Sequence, residues 1–123
     1  MILPETVNIL GITYKVLEVD TVNKNEPRFG ELNFATSEIR IDRELPDEKK
    51  IQVFMHEILH GVFDGLGMEE LCTDERAVQS IATALCCIFG ASNIATMLDK
   101  EDKEVTTFYA DGMPIETVSR GVQ

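Results

Sequence analysis

Cations are scarce in this sequence. Lys and Arg number 11 against 22 Asp and Glu over 123 residues, a formal net charge of −11. A surface of that sign repels phosphate backbones and anionic lipid, so neither nucleic acid nor an anionic membrane is expected as a partner. Long apolar runs are missing too. The longest, near Ile81 to Ala91, is roughly half of the ~20 residues that cross a bilayer. The opening segment Met1 to Thr6 has no basic stretch followed by an apolar run, so a secretory signal is not expected. Cysteine is limited to Cys72, Cys86 and Cys87, an odd number without a C-x-x-C spacing. That excludes a disulfide framework and suggests reduced thiols in a cytoplasmic protein. Cys86 and Cys87 are expected to serve as small buried apolar residues. No internal repeat and no low-complexity tract interrupts the chain.

What remains is a composition that can fold. Apolar residues make up 44% and charged residues 27%, enough for the core of one domain and too short a chain for two. The first third is rich in strand-forming residues. Thr6 to Leu10, Ile12 to Val19, Gly30 to Phe34 and Ile39 to Ile41 read as strands, with Gly11, the polar stretch Thr21 to Pro27 and the turn Ala35 to Glu38 between them. A small antiparallel sheet of three or four strands is the expectation. Pro46 fits the first turn of a helix, with Asp47 and Glu48 at the positive end of its dipole. Ile51, Phe54, Met55, Ile58, Leu59, Val62, Phe63 and Leu66 follow at intervals that mark a well-buried helix, ended by Gly65 and Gly67. A second helix is expected from an N-cap at Thr73 to a stop at Gly90, buried along Val78, Ile81, Ala82, Leu85 and Ile88. A short third helix is expected from Ser92 to Leu98. Six consecutive charged residues, Asp99 to Glu104, then form a solvated joint before a tail that runs to Gln123. The reading is an α+β fold: a small N-terminal sheet on two main helices over residues 1–98, with an accessory segment over 99–123.

The chemistry lies in the first helix, which carries His56-Glu57-Ile58-Leu59-His60, an H-E-x-x-H motif. Residues four apart share one helical face, with Cβ atoms about 6 Å apart. Two imidazoles so placed converge on one zinc ion at ~2.1 Å. Glu57 projects beside such a metal, where it can take a proton from the water there. Ile58 and Leu59 point the other way, into the core. His56 and His60 are the only histidines in the chain, so a three-imidazole site is excluded. The third ligand must be a carboxylate or a cysteine. Glu75, in the opening turn of the second helix and on its core side, is the first choice, and Asp74, Glu70 and Cys72 are its rivals. Asp64, one turn beyond His60 on the same face, suits a supporting or substrate-facing role better than ligation.

These residues bear a resemblance. The stretch from Gly30 to Leu85 resembles the ImmA/IrrE-type family of small zincin-fold metallopeptidases, especially the short versions carried by phages and mobile elements. The similarity rests on Gly30-Glu31, on Ile39-Arg40-Ile41-Asp42, on Phe54-Met55-His56-Glu57-Ile58-Leu59-His60, and on a helix from Asp74 to Ala82. It covers about half the chain. The second helix lacks the Glu-Ala-Asn/Asp-x-Phe-Ala string of larger members. The resemblance implies a zincin-like fold, zinc held by His56, His60 and Glu75, and Glu57 as general base. It also implies a regulatory protein as substrate, such as a helix-turn-helix repressor of a mobile element.

The expected activity is therefore a zinc-dependent endopeptidase that cleaves a protein or peptide. An edge of the sheet would hold the substrate backbone, and Tyr14, Tyr109 or Arg76 would stabilise the oxyanion. A different class of function is a non-catalytic protein-binding factor on the same scaffold, its acidic surface suited to a basic partner. A closed four-ligand zinc site that includes Cys72 would favour that reading. Zinc hydrolysis of a non-peptide bond is the third.

Overall fold

A computed structural model describes residues 3–90, 93, 94 and 96. Strand β1 (Thr6–Ile9) turns into β2 (Ile12–Val19) through Leu10 and Gly11, whose φ values of 52° and 94° are both left-handed. That mirror-type turn matches the right-handed twist of its strands, and the Gly11 N–H donates to Asn8 Oδ1 at 2.8 Å. Register runs from Ile9↔Ile12 to Thr6↔Lys15, which sends Val7, Ile9, Tyr14 and Val16 to the buried face. Strands β3 (Gly30–Asn33) and β4 (Glu38–Asp42) form a second hairpin. Asn33 Oδ1 shapes its turn by accepting from the N–H groups of Ala35 (2.9 Å) and Thr36 (3.0 Å).

The strand order is β1-β2-β4-β3. The sheet is therefore mixed, not antiparallel as expected, because β4 pairs with β2 in parallel from Lys15↔Glu38 to Val19↔Asp42. The loop after Val19 carries the chain past the neighbouring slot, and β3 becomes an edge. Burial explains the choice. Ile39 and Ile41 of β4 are fully buried and gain most from a central position. Every residue of β3 is half-buried.

Helix α1 (Asp47–Gly65) begins just after Pro46, which stands at the N-cap rather than inside the first turn, with Asp47 and Glu48 following it. Its end is closed by the Gly67 N–H on Asp64 O (3.0 Å) and the Met68 N–H on Phe63 O (2.8 Å). This Schellman pairing needs a left-handed residue at Gly67, whose φ is 75°. A short helix not expected from sequence, α2 (Glu69–Cys72), follows at once. Helix α3 (Glu75–Phe89) is capped by Asp74, whose side chain accepts from the Ala77 N–H at 3.0 Å. Thr73, the expected cap, instead turns its hydroxyl back to donate to Glu69 O at 3.0 Å. Gly90 ends α3 with φ 82°. Asn93, Ile94 and Thr96 are helical and Ile94 is buried. The rest of the expected third helix, the 98/99 boundary and the tail lie outside the described residues.

One core joins the sheet, α1 and α3, with Phe54, Ile39, Ile41 and Val78 fully buried. Helix α1 touches the sheet on one side and α3 on another, and so buries Ile51, Val53, Phe54, Met55, Ile58 and Leu59. Helix α3 buries only Val78, Ala82 and Cys86, with Leu85 partly covered. Ile81 and Ile88, expected in its buried stripe, are exposed, and so is Cys87. At 100° per residue they lie well off the Val78–Ala82 line, and the described contacts of α3 are with α1 and α2. Among the described residues, no helix is long and apolar enough to cross a membrane.

Strand β3 meets α1 closely at Gly30. A Cβ there would overlap Val53 Cγ1 and lie 3.4 Å from Glu57 Cγ. Gly30→Ala is expected to cost about 1–3 kcal/mol through overpacking, read as a lower urea midpoint with unchanged slope. An unaltered midpoint would show that the helix moves away freely.

Candidate metal centre

Three ligand-type side chains converge where α1 faces the start of α3. The Nε2 atoms of His56 and His60 lie 3.2 Å apart. Glu75 Oε1 stands 3.0 Å from His56 Nε2, and Glu75 Oε2 stands 3.2 Å from His60 Nε2. The local sequence brings this about. The turn at Gly67 and helix α2 reverse the chain, and the Asp74 cap starts α3 so that Glu75 leaves its first turn toward α1. The histidine side chains are 15% and 14% exposed, whereas that of Glu75 is 70% exposed, so the cluster opens to solvent on the glutamate side.

The outer ring nitrogens have partners of their own. His56 Nδ1–H donates to Gln79 Oε1 at 2.8 Å, and the Gln79 amide is oriented by its Nε2–H on Thr83 Oγ1 at 3.0 Å. His60 Nδ1 faces Cys72 Sγ at 3.7 Å, while the Cys72 S–H donates to His60 O at 3.4 Å. Both Nε2 atoms thereby point toward each other and toward a carboxylate. Two imidazole nitrogens and a carboxylate at these distances form a set that a cation bridges as readily as ring N–H hydrogen bonds do. Their spacing also suits one, since tetrahedral ligands on zinc stand ~3.4 Å apart. The donor set of two imidazoles and one carboxylate, all within 4.8 Å of one another, fits zinc.

The rivals for third place are positioned elsewhere. The Asp74 carboxylate caps α3. Cys72 lies against the far nitrogen of His60, and burial, with Asp64, Glu75 and Glu69 around it, pushes its thiol up and keeps it protonated. Glu70 and Asp64 are exposed and outside the cluster.

Glu57 lies beside the cluster and is only 8% exposed. Burial pushes its carboxyl up, while His56 and His60 pull it down. It shares a cleft of about 570 Å³ with the three ligand-type residues. One wall is β3 with its flanking residues Phe29 and Phe34, and the other is made by α1 and the first turns of α3. Of the expected oxyanion donors, Tyr14 is buried in the core and Arg76 is not in the cleft wall, while Tyr109 lies outside the described residues. Arg28, not singled out from sequence, is in the wall instead.

Gln79 was also missed, although its position one turn after Glu75 carried the signal. Gln79→Leu is expected to weaken zinc binding by ~10–100-fold, the usual effect of losing an outer hydrogen bond to a ligating histidine. Competition with a chromophoric chelator measures it, and unchanged affinity would remove Gln79 from the site. Comparison of the chain with protein-family models, curated proteins and solved structures finds no match.

Proposed function

We propose that the chain is a zinc-dependent endopeptidase of zincin type, with His56, His60 and Glu75 as ligands and Glu57 as general base. One observation carries this reading: the two Nε2 atoms and the Glu75 carboxylate converge in an open cleft that also holds the buried Glu57. A zinc bound there supplies a Lewis acid and a water of lowered pKa. Glu57 would serve as the proton carrier, accepting a proton at its carboxylate from the attacking water and giving it to the leaving amine nitrogen. Strand β3, an edge among the described strands, offers free backbone groups along the cleft, so an extended peptide can pair with it as a further strand. Arg28, whose charge is felt by Glu57, is a cation of the wall that would meet negative charge on the carbonyl oxygen, on release from Glu26, which it now holds at 3.0 Å.

The protein-binding alternative would gain from a closed four-ligand site. Among the described residues three ligands converge and Cys72 stays behind His60, which favours hydrolysis. The resemblance to ImmA/IrrE-type proteins makes a regulatory protein, such as a helix-turn-helix repressor in the cytoplasm, the natural substrate. The acidic chain suits a basic one.

The test joins metal content to turnover. Protein purified without chelator is expected to carry about one zinc per chain and to cut unfolded β-casein, with chelation stopping the cutting and zinc restoring it. One bound zinc without cleavage would move the assignment to a binding role.

A further inference from the structure

Strand β3 and helix α1 run in the same direction past each other. Lys49 Nζ lies 5.5 Å above the Phe29 ring. The next residue, Gly30, faces Val53 and Glu57, and Leu32 faces Gly61. Chain order on β3 therefore follows chain order on α1, and Phe34 continues beyond Leu32. His56 and His60 lie between the two ends. The cleft consequently has an aromatic residue at each end of its β3 wall, with the metal-ligand cluster on the facing wall between them. Phe29 is 56% exposed and Phe34 is 47% exposed. What sets these two apart from other exposed apolar residues is their place in the cleft with the ligand cluster, where apolar side chains of a bound peptide would be buried against them.

From this we infer that the cleft selects an extended polypeptide segment with two bulky apolar side chains, one on each side of the bond that is cut. This inference rests on the peptidase reading and gives it a substrate class. Phe29 and Phe34 flank strand Gly30–Asn33, and with Phe34 already in the turn their separation is ~10–17 Å at ~3.4 Å per extended residue. A peptide lying along β3 covers that length with about three to five residues of its own. The two apolar side chains are therefore separated by about three to five positions, with the scissile bond inside the interval. A free dipeptide or a chain end reaches only one of the two aromatic residues, so internal cleavage is favoured.

Unfolded β-casein and the zinc-loaded full chain provide the test, because casein offers many sites and mass spectrometry reads every cut. Cuts are expected to be enriched in apolar residues on both sides at that separation. Phe29→Ser and Phe34→Ser should each lower kcat/KM by roughly tenfold or more, the scale of a lost apolar pocket contact. The loss should come mainly through KM, with zinc content unchanged. Each variant should lose the enrichment on one side only. Casein cut without apolar enrichment, or cut equally well by both variants, would overturn the inference and leave the peptidase standing. Wild-type protein that binds zinc and leaves casein intact would overturn both.

Discussion

Glu57→Gln is expected to lower kcat for casein hydrolysis by ~10²–10⁴-fold, the usual contribution of a positioned general base, while zinc content stays at the wild-type value. The amide keeps the length and shape of the side chain, so its packing against β3 near Gly30, where Glu57 Cγ closely borders the strand, is preserved. It cannot accept a proton. Because Glu57 is outside the convergent ligand set, metal binding should survive. Fold stability gives a second readout. Burial raises the carboxyl's pKa in the folded state, so the folded protein holds this proton more tightly than the unfolded chain. The charged form therefore costs stability as pH rises above the unfolded-state value, and a neutral amide removes that cost. Metal-free Glu57→Gln is expected to melt no lower than wild type at pH 7. Cleavage by the variant at the wild-type rate would reject the base assignment. A lower melting point with lost zinc would mean that Glu57 is part of the structure of the site instead.

The helix that carries the two histidines was legible because both its signals are local. Apolar spacing of three and four identified α1, and His56 and His60 share a face by the same geometry. Strand β2 was equally plain, and the structure gives it the same bounds, Ile12–Val19. Strand order was not legible. Alternation tells which face of a strand is buried, not which strand lies beside it, so the parallel β2–β4 pairing was hidden. The start of α3 was misread by one residue because Thr73 and Asp74 are both good caps. The choice fell to Asp74, whose carboxylate reaches the Ala77 N–H, while the Thr73 hydroxyl serves α2. Ile81 and Ile88 misled because an apolar stripe does not say how many sides of a helix are covered. Adjacent cysteines behaved differently for the same reason, with Cys86 on the covered side and Cys87 off it. Glu75 could be singled out from its place in the first turn of α3. The supporting shell could not, since Gln79 and Cys72 acquire their meaning only from which ring nitrogen they face.

His60→Ala and Glu75→Ala are both expected to lose zinc, by more than the ~10–100-fold that loss of an outer partner costs. In His60→Ala the remaining donors are one imidazole and one exposed carboxylate, too few for a protein site that must also keep a position for water. In Glu75→Ala two neutral imidazoles remain, and the negative charge that offsets the cation is gone. Thermal melting reads the same loss without any substrate. Free zinc at 1,000 times its Kd adds ~4 kcal/mol to the folded state by mass action, which for a domain of this size is a rise of many degrees. Wild type should show that rise, and neither variant should show it at the same zinc concentration. Asp74→Ala separates ligation from folding. It removes the α3 cap, at a cost of about 1 kcal/mol, and so lowers the metal-free melting point, yet its zinc-dependent rise should persist because Glu75 is retained. Asp64→Asn should behave as wild type in zinc binding. If Glu75→Ala keeps the full zinc-dependent rise while Asp74→Ala or Asp64→Asn loses it, Glu75 is not a ligand and the convergence of its carboxylate with the two imidazoles is an ordinary hydrogen-bonded contact.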